Sequence, residues 1–158
     1  MIKKGSLLVV IAAAAGLALA VAGASTALSS HPVSQKGRMA GYKATSSTCS
    51  HAPTPGNPAP MAGNLIGKPG GSGAIVAHLV HATFPGYTGN ATFFEPLGSY
   101  TAKITKTMTV PGHATEAQEV MKVTKGTGRY KGATGMVTLT LNGGCPSFPF
   151  TVTGSITY

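Results

Sequence analysis

Hydrophobic and polar side chains alternate with a period of two through the second half of the chain. The clearest run covers residues 100–110, where Thr and Lys alternate with a mainly apolar set. Two further runs, residues 136–141 and 150–158, alternate in the same way. This period predicts strands with one buried face and one wet face. The apolar positions of the first run are Tyr100, Ala102, Ile104, Met108 and Val110.

Weaker β-type runs complete the set at residues 63–67, 73–84, 91–95 and 116–125, and the region around Tyr42 is a candidate eighth strand. Residues 116–119 are good helix formers, but β-branched residues follow them and no cap is evident, so a strand is preferred. Short strands separated by turn signals are typical of an all-β sandwich or barrel. We therefore predict an all-β domain over residues 61–158, a sandwich or a barrel of seven strands with an eighth near Tyr42, and closure into a barrel would remove unpaired edges.

The N-terminal residues 1–24 have the pattern of a signal peptide. Lys3 and Lys4 precede an apolar run, and Ala22 and Ala24 supply small residues for cleavage, although cleavage after Ala27 also fits. An uncleaved membrane anchor is the alternative. Residues 25–60 contain five of the 11 prolines and predict a flexible arm. These features predict a secreted, extracytoplasmic protein.

Charge and composition restrict the chemistry. Twelve Lys and Arg face only three acids, all Glu, which gives a formal charge of +9. A Ser-His-Asp triad is excluded because there is no Asp. The basic residues are scattered between Lys36 and Lys131, which favours a role in solubility over nucleic-acid binding. Weak contact with anionic polymers of the cell envelope stays open.

The chain contains two cysteines, Cys49 and Cys145. In an exported protein an even pair is most simply one disulfide. There are two less favoured alternatives. One is a zinc site that uses His51, but neither cysteine has a ligand at zinc-knuckle spacing. The other is a free nucleophilic thiol.

The segment 126–135 holds four glycines in ten residues and runs directly into an alternating strand. So many glycines predict a sharp turn with positive φ angles. A phosphate-binding loop is excluded because its glycine pattern must be followed by a helix. The residues of this structural turn are Gly126, Gly128, Tyr130, Gly132 and Gly135.

This decapeptide, the strand after it and the closing segment 154–158 resemble the secreted bacterial branch of the allene oxide cyclase barrel-like and dirigent-like proteins. The resemblance implies an eight-stranded calycin-type barrel, a lumen for an apolar small molecule and often a homo-oligomer. It implies the fold and not catalysis, because the glycine-rich stretch is a turn in that family. Dirigent proteins use Asp in their cavity and the plant cyclases use a Glu; here only Glu95, Glu116 and Glu119 are available to stand in.

Among single residues, Glu95 is the best catalytic candidate. It shares the phase of Phe93, and burial would raise its pKa towards general acid or base use, but the following Pro96 suggests a solvent-exposed strand end. His78 and His81 lie at odd spacing and therefore on opposite faces of a strand, so they do not predict a shared metal site. Lys106 falls on the apolar side of its strand. Neither a cofactor nor a metal is predicted.

The preferred function is therefore an exported barrel that binds a small apolar or amphipathic ligand without converting it. A cyclase- or isomerase-like enzyme and an envelope-interaction protein with a basic surface are the alternatives. The predicted lumen residues are Tyr100, Ile104, Met108, Phe150 and Val152.

Overall fold

The structure, a computed structural model, describes residues 28–41, 58–81, 87–110, 113–142 and 147–158. The predicted signal peptide and both cysteines lie outside these residues. Within the described ranges, no helix is long and apolar enough to cross a membrane. Eight strands are present: β1 (Ser30–Gly41), β2 (Pro58–Lys68), β3 (Gly71–His81), β4 (Tyr87–Glu95), β5 (Gly98–Val110), β6 (His113–Gly128), β7 (Thr134–Leu141) and β8 (Ser147–Thr157).

The strands form a closed antiparallel barrel in which each strand pairs with the next and β8 pairs with β1. The predicted fold class, an all-β eight-stranded antiparallel barrel, is confirmed. Closure satisfies the backbone donors and acceptors that an open sheet would leave at its edges. The segment 116–125, which the sequence predicts as a strand despite its helix-forming residues, lies within β6.

The first strand, β1, lies inside the segment for which the sequence predicts a flexible arm. Its inward phase includes Val33, Gln35 and Met39, all buried, together with the half-buried Gly37. A glutamine and a glycine in the buried phase interrupt the apolar alternation. Pairing with both β2 and β8 supplies the order that the local sequence does not signal.

The two ends of the barrel differ. At one end, short connections join β2 to β3, β4 to β5 and β6 to β7; we call it the turn end. The other end, where β1, β3, β5 and β7 finish, is called the loop end. The segment 129–133 forms the β6–β7 turn through hydrogen bonds from Tyr130 N–H to Thr127 O and from Ala133 N–H to Tyr130 O. Gly128 and Gly132 in this turn have positive φ angles of 55° and 77°.

The interior of the barrel is apolar, with a small number of polar side chains. Period-two alternation along each strand places one face inside, so the buried side chains form a single cluster. Its largest fully buried apolar or aromatic members are Tyr100, Tyr130, Phe93, Phe150, Met39, Leu65, Ile75, Leu79, Met121, Leu139 and Ile156.

The alternation of β5 changes phase at a β-bulge, which corrects one part of the sequence prediction. Ile104 pairs with Met121 but Lys106 pairs with Val120, so Thr105 is the extra residue. After this shift Thr107 takes the inward phase, whereas Lys106 is exposed and Met108 is half-buried on the outward phase. The prediction that Met108 and Lys106 share the inner face of Tyr100 is therefore wrong, because one inserted residue exchanges the two faces.

Candidate functional site

The most unusual group in the interior is the carboxylate of Glu119 on β6. Its side chain is 0% exposed, and its register partners are Thr107 on β5 and Leu139 on β7. The Thr107 hydroxyl lies 2.5 Å from Oε2 of Glu119. The other carboxylate oxygen, Oε1, is buried and has no hydrogen-bond partner among the described residues. A buried polar atom without a partner is costly, so this oxygen is an available acceptor for one further hydrogen bond.

The β5 bulge builds this site. The Thr105 hydroxyl on the outside donates to the Val120 carbonyl oxygen at 3.0 Å, and the phase shift brings Thr107 to the inside. The Thr107 hydroxyl accepts the Tyr87 N–H at 3.1 Å and also lies 3.1 Å from the Tyr87 carbonyl oxygen. Thr107 is thereby held by the first residue of β4, and its one hydroxyl proton is shared between that carbonyl and Glu119.

The environment of Glu119 shifts its protonation towards the neutral acid. Burial raises the pKa of this carboxyl group to about 7, although the hydrogen bond from Thr107 opposes the rise. Burial, and to a smaller extent the same carboxylate, raises the pKa of Tyr87. At neutral pH Glu119 is therefore present both as a carboxylate that accepts hydrogen bonds and as an acid that donates one.

The barrel wall near the middle of β3, β4 and β5 is made of small side chains. Ala77 pairs with Ala91, and Ala91 pairs with Ala102, so three fully buried alanines form one row across three strands. Three inward methionines belong to the same core, and methionine adapts its shape more readily than branched residues. Small and adaptable side chains therefore line this part of the interior. The methionines are Met39, Met61 and Met121.

Glu95, the candidate from the sequence, lies at the turn end and is engaged by protein groups. Like Phe93 it is buried inside the barrel, with 8% of its surface exposed. Its Oε1 accepts a hydrogen bond from Gln35, and its Oε2 accepts one from the Tyr130 hydroxyl. Gln35 in turn accepts a hydrogen bond from the Tyr100 hydroxyl at 3.1 Å. This carboxylate connects β1, β4 and the β6–β7 turn, and both of its oxygens are used.

The remaining predicted residues are placed as follows. Tyr100, Ile104, Phe150 and Val152 are buried inside the barrel. His78 is exposed on the outer face of β3, and the side chain of His81 lies outside the described part of the structure. Within the described residues, no group of three or more His, Cys, Asp or Glu side chains is arranged to hold a metal ion.

Sequence reasoning named Glu119 only as one of three acids. A signal for it was present, because Glu119, Met121 and Val123 alternate along β6 and all three are buried. The sequence predicts a strand here but no inward face, because Val120 on the opposite phase is also apolar. The other half of the site, Thr107, was hidden because the β5 bulge carries neither Gly nor Pro.

Comparisons with known proteins leave the family open. A scan against protein-family models finds no match for this chain, and a search of curated proteins finds no match either.

Proposed function

We propose that this protein is a small-molecule carrier: an eight-stranded barrel whose interior takes an apolar molecule that bears one hydroxyl group. The observation that carries the proposal is the unpartnered Oε1 of Glu119, fully buried in an apolar interior. A ligand hydroxyl both donates and accepts, so it satisfies Glu119 in either protonation state. The alanine row and the methionines support an apolar body for the same ligand.

The loop end is the entry route in this proposal. Thr107 and Tyr87 lie close to that end. Ala117 pairs there with Leu141, the last residue of β7, and Glu119 lies two residues further along β6 into the barrel. Tyr87, Leu141 and Phe148 are only partly buried and pack against the core there. The turn end, in contrast, is filled by the Glu95 hydrogen bonds and the stacked rings of Phe93 and Tyr100, whose centroids are 4.6 Å apart.

The resemblance to the allene oxide cyclase barrel-like and dirigent-like proteins belongs to the same proposal. Proteins of this architecture have either a core filled by side chains or an interior just wide enough for one small ligand. In the carrier proposal the chain is exported and meets its ligand outside the cytoplasm. The predicted signal sequence at residues 1–24 supports that location.

Competition with a fluorescent probe tests the proposal. The apolar dye N-phenyl-1-naphthylamine is bound first and then displaced by 1-undecanol or by its isomer decyl methyl ether, which has the same overall length but no hydroxyl proton. We expect undecanol to displace the dye at roughly tenfold lower concentration, because only the alcohol donates to Glu119. In Glu119→Leu the preference should vanish, while Glu95→Gln at the turn end should retain it. Equal displacement by both compounds in the wild type would overturn the proposal.

An isomerase is the second candidate, and the pKa of about 7 at Glu119 favours it. A carboxyl group poised near neutral pH suits general acid–base catalysis, in which it removes a proton beside a carbonyl and returns it to another carbon. The test is deuterium incorporation next to the carbonyl of 2-undecanone in heavy water. Acceleration by the wild type and none by Glu119→Gln would favour the enzyme; no acceleration by either leaves the carrier as the function.

A further inference from the structure

The described acidic side chains of the barrel lie inside it, and the described Lys and Arg side chains lie outside. The described side chains of Glu95 and Glu119 are both buried inside. All nine described basic side chains are exposed on the outside: Lys36, Arg38, Lys68, Lys103, Lys106, Lys122, Lys125, Arg129 and Lys131. Among the side chains that the structure describes, no glutamate lies on the surface to neutralise them.

Four of these cations are concentrated on the outer face of β5 and β6. Lys103 and Lys122 are directly paired across the two strands, Lys125 pairs with Thr101, and Lys106 pairs with Val120. We call this group the lysine ridge. It extends along residues 101–106 of β5, roughly 17 Å at the usual rise of an extended strand.

Two irregularities in the pairing of β5 and β6 bring all four lysines to the outer face. The register shift at Thr105 places Lys106 outside, and the shift between Thr101 and Ala102 makes Thr124 an extra residue that places Lys125 outside. Without these shifts the alternation would send each of these two lysines to the face opposite Lys103 and Lys122. The Thr124 hydroxyl donates to the Thr101 carbonyl oxygen at 3.2 Å and supports the second irregularity.

The direct Lys103–Lys122 pair is unfavourable for the barrel alone. Directly opposed residues have Cβ atoms about 5 Å apart, and like charges at such positions are destabilising. An anionic partner would convert this repulsion into attraction. The arrangement therefore points to a ligand with several negative charges along its length.

We propose that the lysine ridge binds an acidic polysaccharide. Outward threonines lie among the lysines, at Thr101, Thr105 and Thr124, and their hydroxyl oxygens accept hydrogen bonds from sugar hydroxyls. Ammonium groups act as point charges, which suits spaced carboxylates. The ridge belongs to the outer wall, so the proposal is independent of the carrier function inside the barrel.

Other polyanions fit the ridge less well. Single-stranded nucleic acid is held by aromatic stacking as well as by charge, and the one large exposed aromatic of the described barrel, Phe94, lies on β4 at the turn end. A membrane surface would favour exposed apolar side chains beside the cations. Of the exposed large hydrophobic residues in the described barrel, only Met136 is a direct register partner of a ridge lysine, Lys122.

The test compares two variants that lose the same charge. Lys103→Gln/Lys122→Gln removes the centre of the ridge, and Lys36→Gln/Arg38→Gln removes two exposed cations from β1, on the opposite side of the eight-stranded barrel. Binding of polygalacturonate is measured by titration calorimetry at low salt, with neutral dextran as a control. We expect at least a tenfold loss of affinity in the ridge variant and less than a twofold loss in the β1 variant.

Two further ligands decide between the kinds of polyanion. A 30-residue oligothymidylate and vesicles of phosphatidylglycerol are titrated at the same concentration of negative charge. The proposal requires polygalacturonate to bind more tightly than either. Tighter binding of the oligonucleotide or of the vesicles would overturn the assignment to a polysaccharide. An equal loss in the two variants would also overturn it, because the binding would then depend on net charge alone.

Discussion

The Tyr130 hydroxyl, on the β6–β7 turn, donates a hydrogen bond to the Glu95 carboxylate at the end of β4. This contact joins two turns at the turn end, and Gly70 of the β2–β3 turn packs against the same carboxylate so closely that a Cβ there would overlap it. The glycine-rich turn therefore not only reverses the chain but also positions the Tyr130 hydroxyl against the buried Glu95 carboxylate.

Removing this hydroxyl should destabilise the barrel. Tyr130→Phe leaves one oxygen of a buried carboxylate without its donor, at a cost of about 1–3 kcal/mol. Tyr158→Phe is a matched control, because the Tyr158 hydroxyl is buried and has no partner among the described residues. Urea unfolding should show a clear loss for Tyr130→Phe and almost none for Tyr158→Phe. Equal losses would show that the hydrogen bond is not a structural link.

Stability should fall as pH rises, because of Glu119. Its folded-state pKa is raised from an ordinary value of 4.5 to about 7, so the folded protein holds a proton that the unfolded chain has released. The unfolding free energy should therefore decrease as pH rises from 4.5 through about 7, by roughly 3 kcal/mol. Urea unfolding at pH 5 and pH 8 measures this loss. Glu119→Gln should reduce the pH dependence by that amount, and identical pH profiles for the two proteins would contradict the prediction.

The Thr107 hydroxyl should tune the same carboxyl group. Its hydrogen bond to Oε2 lowers the Glu119 pKa, so Thr107→Val should raise that pKa above about 7. Thr109→Val is the control on the same strand, since the Thr109 side chain is exposed to solvent and lies outside the bulge. Titration of the side-chain carboxyl carbons by NMR should separate the two variants. An equal pKa in both would mean that Thr107 does not bond to the carboxylate.

The two cysteines lie outside the described residues, and their disulfide stays a prediction. Ser147, just after Cys145 in the sequence, pairs with Ala40 near the end of β1. Cys49 follows β1 in the sequence. Thiol titration of the denatured, non-reduced protein should find no free thiol. Reduction should lower the unfolding free energy by up to about 4.7 kcal/mol, the loop-entropy value for about 100 residues. Cys49→Ser/Cys145→Ser should be insensitive to reductant, whereas two titratable thiols in the untreated protein would exclude the bond.

The sequence predicts the barrel well because most strands carry a period-two pattern that burial enforces. It fails where tertiary structure overrides that pattern. β1 is ordered by its two neighbours despite the inward Gln35 and Gly37, and β5 exchanges its faces at Thr105 through a bulge that no residue type marks. The candidate site depends on that bulge. Glu95 is identifiable from the sequence because it shares the phase of Phe93, whereas the partners of Glu119 are fixed only when β4, β5 and β6 pair.

The central claim, that Glu119 is the polar contact of a guest inside the barrel, is tested most directly by NMR of labelled glutamate carboxyl carbons during titration with 1-undecanol. We predict that the Glu119 signal shifts and saturates with the alcohol, that the Glu95 signal stays in place, and that decyl methyl ether has a much weaker effect. A saturating shift at Glu95 without one at Glu119, or no shift at either carboxyl group up to the solubility limit of the alcohol, would contradict the account.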